Sequence, residues 1–79
     1  MSTYTIDTRS NEMGLFTVEA ASHHEAASLA AAKIWPKYRT IITVNRETGD
    51  PHGSGMFQAY IPLGQQRSSH GNMFHVSEN

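Results

Sequence analysis

Apolar and polar residues alternate with a period of two in several short runs of this chain, and follow a helical period in one longer run. Successive side chains of a strand point to opposite faces, so such alternation marks a strand with one buried side. Residues 3–8 read this way, with Tyr4 and Ile6 on one side and Thr3, Thr5 and Asp7 on the other. Residues 15–20 alternate again, with Phe16, Val18 and Ala20 on the apolar side. The polar segment 9–14 between them contains Asn11 and Gly14, a suitable turn, and predicts an N-terminal hairpin.

A helix is predicted next. Ser22 is followed three residues later by Glu25, the spacing at which each side chain bonds a backbone N–H at the other's position, so the helix starts near His23. Alanines at 26, 27, 30, 31 and 32 have the best intrinsic helix propensity. Projected at 3.6 residues per turn, Ala26, Ala27, Ala30 and Ile34 fall on one stripe, and a stripe of small residues lets a helix lie close to a sheet. Pro36 disfavours helix at Trp35 and ends the element there. Lys33, Lys37 and Arg39 sit towards this end, where positive charge complements the helix dipole.

The rest of the chain returns to strands. Residues 40–46 are rich in β-branched side chains, with Ile42 and Val44 on one face and Ile41, Thr43 and Asn45 on the other. The segment ETGDPHGSG then predicts a reversal, since Gly49, Gly53 and Gly55 take positive φ at little steric cost and Asp50-Pro51 favours turn initiation. From Met56 onward Phe57, Ala59 and Ile61 face one way, and Met56, Gln58 and Tyr60 the other. Pro62 ends this strand, residues 64–72 predict a polar mobile loop, and residues 73–76 return as a short fifth strand with Phe74 and Val76 inward, leaving 77–79 as a tail. The sum is a single α+β domain over residues 1–79, in ββαβββ order. Its two layers are one helix and a mainly antiparallel sheet of four to five strands. One sheet face is then left open unless dimerisation or a partner covers it, with Leu15, Thr17, Ile41, Thr43, Met56, Gln58 and Tyr60 as its candidate residues.

Composition narrows the functions available. At 79 residues and 38% hydrophobic, the chain supports one small core, and so limited a core leaves room for gain by self-association, with a homodimer as one expectation. There is no cysteine, which excludes disulfides and thiolate zinc sites and fits a reducing cytoplasm. The N-terminal residues lack a basic region followed by an apolar run, and no apolar stretch approaches the ~18 residues of a membrane span. A soluble cytoplasmic protein with no membrane association is expected. Six Lys plus Arg against seven Asp plus Glu leave a formal net charge of -1, neither a basic stripe for duplex binding nor a dense acidic surface imitating DNA.

Catalytic and metal chemistry find little support. The five histidines lie at positions 23, 24, 52, 70 and 75; His23 and His24 point to different helix faces, and no HExxH or similar ligand spacing occurs. Ser54 lacks the G-x-S-x-G frame, and Gly53-Ser54-Gly55 lacks the Lys-Ser/Thr pair of a phosphate loop. No catalytic residue, metal, cofactor or small-molecule substrate is therefore expected. A recognition surface remains, and interface anchors are often aromatic or Arg. The candidate partner-binding residues are Arg46, Met56, Gln58, Tyr60 and Arg67, with Glu47 and Asp50 placed to meet basic nucleic-acid-binding surfaces on a target. A second reading is a small nucleic-acid-binding sheet whose exposed rings stack on bases.

The stretch ETGDPHGSGMFQAYIPL, the opening TYTIDTRSN, the FTV of residues 16–18 and the closing FHV of residues 74–76 resemble a small type I-E anti-CRISPR family carried by phages and mobile genetic elements. The resemblance runs over nearly the whole chain and is most specific in GSGMFQAY. It implies a non-enzymatic inhibitor, working in the cytoplasm of the bacterial host. Its implied partner is a type I surveillance complex (Cascade), type I-E favoured, or the Cas3 nuclease-helicase, and interference would stop at DNA binding or at Cas3 recruitment.

Overall fold

The computed structural model describes residues 1–9, 13–46, 55–60 and 73–79. Among the described residues, five strands and one α-helix form in the order β1 (Ser2–Asp7), β2 (Leu15–Ala20), α1 (His23–Ile34), β3 (Thr43–Arg46), β4 (Met56–Tyr60) and β5 (Met73–Glu78), with a 3-10 turn at Pro36–Tyr38 after the helix. The fold is α+β, with the helix packed on one face of a five-stranded sheet. Every neighbouring pair is antiparallel, and the order across the sheet is β2-β1-β5-β4-β3.

The N-terminal hairpin closes as the pattern predicts. Thr8 is buried, and both its N–H and its hydroxyl donate to the carbonyl of Gly14, at 3.0 and 2.8 Å, so its polar atoms cost little to enclose. Gly14 takes φ 64, the left-handed conformation a glycine reaches without strain. Residues 10–12 of the turn lie outside the described residues.

Helix α1 begins where the cap spacing places it. Ser22 is extended (φ -154, ψ 166), and its hydroxyl accepts the N–H of Glu25 at 3.1 Å. The Glu25 carboxylate accepts from Ala21 N–H at 2.9 Å, one residue before the Ser22 N–H that the capping box uses. At the other end Trp35 leaves helical geometry, its N–H bonded to Ala31, and Pro36 opens the 3-10 turn. The helix buries Ala26, Ala27, Ala30, Ala31 and Ile34, the predicted stripe with Ala31 added. Lys33 Nζ lies 5.5 Å from the centroid of the Phe16 ring and Lys37 Nζ 5.7 Å from that of Tyr38, so these two helix-end cations also cover aromatic faces.

Against the helix the strands present Tyr4, Ile6, Ala20, Val44, Phe57, Ala59, Phe74 and Val76, all buried. The Phe57 and Phe74 rings stack with centroids 6.5 Å apart, and Trp35 tilts against Phe74 at 6.3 Å. Burial first, then the nearby Glu78 and Glu25 carboxylates, hold the Tyr4 phenol above its ordinary value. Both conditions disfavour a phenolate.

Two element boundaries differ from the sequence reading. The third strand starts at Thr43, not at residue 40, because the Tyr38 carbonyl accepts from both Ile41 and Ile42 N–H at 2.9 and 2.8 Å and holds them in a turn. Ile41 is therefore exposed on that turn and is not part of the open sheet face. The C-terminal tail is instead the end of β5: the strand runs to Glu78, and Asn79 N–H donates to Thr3 at 2.9 Å. The reversal at 47–54, the end of the fourth strand at Ile61 and Pro62, and the loop at 64–72 lie outside the described residues.

Candidate functional site

Among the described residues, no helix or second sheet layer lies on the sheet face opposite α1. Alternation along each strand and the register between strands determine what that face presents. Leu15, Asp7, His75 and Met56 form one row across β2, β1, β5 and β4. Thr17, Thr5 and Ser77 form the row on one side of it, and Met73, Gln58 and Asn45 the row on the other, with Tyr60 paired to Thr43 beyond.

The chemistry of the face is mixed. Met56, Gln58, Tyr60, Met73 and His75 are half-buried, wide enough to make contact but still presented to solvent. Tyr60 hydroxyl donates to Gln58 Oε1 at 2.6 Å, a side-chain pair two residues apart that orients the ring along its own strand. Arg9 is held at φ 64 with its N–H on Asp7 Oδ1 at 2.9 Å, and its Nη1 lies 3.7 Å from the sulfur of Met56. Thr5 hydroxyl donates to Asn79 Oδ1, which fastens the chain end beside the same face. The described charges on this face are the carboxylates of Asp7 and Glu19, with Arg9 at the rim. Lys33, Lys37 and Arg39 belong to the helix and the turn after it.

The predicted site residues divide into three groups. Met56, Gln58 and Tyr60 stand together on the open face, joined by Leu15, Thr17 and Thr43. Arg46 is on the other side: it pairs with Phe57, and its guanidinium carbon lies 5.0 Å from that ring's centroid, capping the helix-side core at the sheet edge. It does not share a sheet face with Tyr60. Glu47, Asp50 and Arg67 lie outside the described residues.

Sequence reasoning missed Met73 and His75, which occupy the middle of the face because β5 runs between β1 and β4. The signal was present, since with Phe74 and Val76 inward these two residues had to point outward. What the pattern lacked was the strand's central position.

The described histidines, His23, His24 and His75, are dispersed. His23 meets the Tyr4 ring edge-on at 4.9 Å, and His24 Nε2 is 3.2 Å from the Val44 carbonyl. Among the described residues no group of three His, Asp or Glu side chains is placed to hold a metal ion, and no helix is long and apolar enough to cross a membrane. A scan against protein-family models and a search of curated proteins both find no match to this chain.

Proposed function

We propose that this protein is a non-enzymatic anti-CRISPR inhibitor that docks its open sheet face on a type I surveillance complex, type I-E first. Bound there, it stops interference at DNA binding or at Cas3 recruitment. The observation that carries the reading is where the most family-like block falls. In GSGMFQAY the alternate residues Met56, Gln58 and Tyr60 stand on the open face beside Met73 and His75, and Phe57 and Ala59 are spent on the core. A face of thioether, phenol, amide and hydroxyl groups suits a protein interface, for which ~800 Å² per partner is the usual extent. Carboxylates at Asp7 and Glu19 repel phosphate, which favours a protein partner over direct binding of nucleic acid.

The test is phage challenge in hosts carrying defined CRISPR subtypes, with copurification of the surveillance complex. Restored plaquing in a type I-E host is expected from the wild-type chain, and loss of both plaquing and copurification from the double variant Met56→Ala, Tyr60→Ala. Arg46→Glu, on the other face, retains both. Failure to associate with any type I complex or with Cas3 would overturn the proposal, as would salt-sensitive binding of RNA or DNA in the absence of Cas proteins.

A further inference from the structure

The two outer edges of the sheet are finished differently. In an antiparallel ladder residues alternate between bonding one neighbour and bonding the other. Thr8 N–H donates to Gly14, in register with the β1–β2 ladder, and Asn79 N–H donates to Thr3, in register with the β1–β5 ladder. Even-numbered residues of β1 therefore bond β2 and odd-numbered ones bond β5. It follows that Phe16, Val18 and Ala20 bond inward to β1, while the N–H and C=O groups of Leu15, Thr17 and Glu19 point away from the sheet.

On the far edge the same reasoning turns Ile42 and Val44 outward, and there the protein covers its own backbone. Ile42 N–H donates to the Tyr38 carbonyl, and the His24 imidazole sits 3.2 Å from the Val44 carbonyl. That edge is also only four residues long. The β2 edge has six residues, no proline and no lysine, and among the described residues no hydrogen bond reaches the outward groups of Leu15, Thr17 and Glu19. Strand edges left in this condition are templates for another strand.

We propose that β2 pairs antiparallel with β2 of a second copy of this chain, about a two-fold axis at Thr17, to give a continuous ten-stranded sheet. A two-fold normal to the sheet keeps the faces aligned only when paired residue numbers sum to an even value, and centring on Thr17 meets that condition and the outward bonding of odd-numbered residues together. It sets Phe16 opposite Val18 on the helix side, where both are only half-buried in one copy and extend the apolar layer across the join. On the open face it sets Glu19 opposite Leu15, which is 67% exposed, and so avoids opposing like charges. Centring on Glu19 would oppose the carboxylates. The paired sheet carries both open faces on one side, and the assembly stands whatever those faces bind.

Sedimentation of the intact chain up to about 1 mM, where even weak association populates a pair, tests this directly. A reversible monomer–dimer equilibrium is expected. Thr17→Lys, which places two like charges directly opposite each other, weakens it at least about tenfold with an unchanged far-ultraviolet spectrum. Thr17→Cys, in a chain with no other cysteine, gives a disulfide-linked dimer on mild oxidation, because a bonded antiparallel pair holds its Cα atoms about 5.5 Å apart. Thr43→Cys, on the opposite edge strand, does not. A monomer at every concentration, a dimer untouched by Thr17→Lys, or equal cross-linking of the two cysteine variants would overturn the proposal.

Discussion

Replacing Gly55 with alanine should damage this fold more than any other single methyl addition at a described glycine. Gly55 has φ 101 and its carbonyl accepts the Val76 N–H at 2.7 Å, which starts the ladder between β4 and the central strand. A Cβ built on it would lie 2.1 Å from the Val76 carbonyl oxygen and 3.1 Å from its carbon, both backbone atoms of a residue that is 1% exposed. Neither side can yield without moving a strand. The backbone conformation alone costs an L-residue about 1–3 kcal/mol. Pushing the strands apart weakens a buried hydrogen bond, worth about 1–3 kcal/mol when its groups are left unsatisfied. The sum, about 2–6 kcal/mol, is a large part of the ~4–12 kcal/mol available to a domain of this size.

Gly14→Ala supplies the control. Gly14 has φ +64, but its added Cβ meets nothing within 4 Å, so only the conformational cost of about 1–2 kcal/mol applies. Thermal unfolding followed by circular dichroism should place Gly55→Ala at least ~8 °C below the wild type and Gly14→Ala roughly 4–16 °C below it, with Gly55→Ala the lower of the two. If Gly55→Ala melts within a few degrees of the wild type, or no lower than Gly14→Ala, the close approach of Gly55 to β5 is not a feature of the folded protein.

Two further outcomes concern the core. Ala30 is fully buried between helix and sheet, so Ala30→Leu should overpack the contact and cost about 1–3 kcal/mol; an unchanged melting temperature would mean a gap exists there. The raised Tyr4 pKa means the fold favours the neutral phenol, so this contribution is complete below the unfolded value of 10.0 and is lost as pH rises through the higher folded value. Stability of the wild type should therefore fall more steeply above pH 10 than that of Tyr4→Phe, and parallel pH profiles would refute the assignment.

The faces of the strands were legible in the sequence because burial on one side imposes a period of two. The inward positions of Tyr4, Ile6, Val44, Phe57, Ala59, Phe74 and Val76, and the outward triad Met56, Gln58 and Tyr60, follow from alternation. The helix start was legible for an equally local reason, since the Ser22 cap lies three residues from the N–H it accepts. The face of Arg46 was legible too: two residues after Val44 it shares Val44's face, and its cation finds the Phe57 ring there. Ile41 was misplaced by carrying a strand period into residues whose N–H groups a preceding carbonyl had already taken.

What alternation cannot encode is which strand lies beside which, because ladder hydrogen bonds are the same for any partner. Placing the last strand of the chain in the middle of the sheet joins residues more than seventy positions apart, as in the pairing of Tyr4 with Glu78. Only tertiary packing decides it: Phe74 and Val76 must reach the helix from the centre, and Met73 and His75 are then carried into the middle of the open face. The same order makes β2 and β3 the sheet's edges. Which of those edges the protein covers for itself depends on a helix side chain, His24, meeting a strand carbonyl twenty residues away.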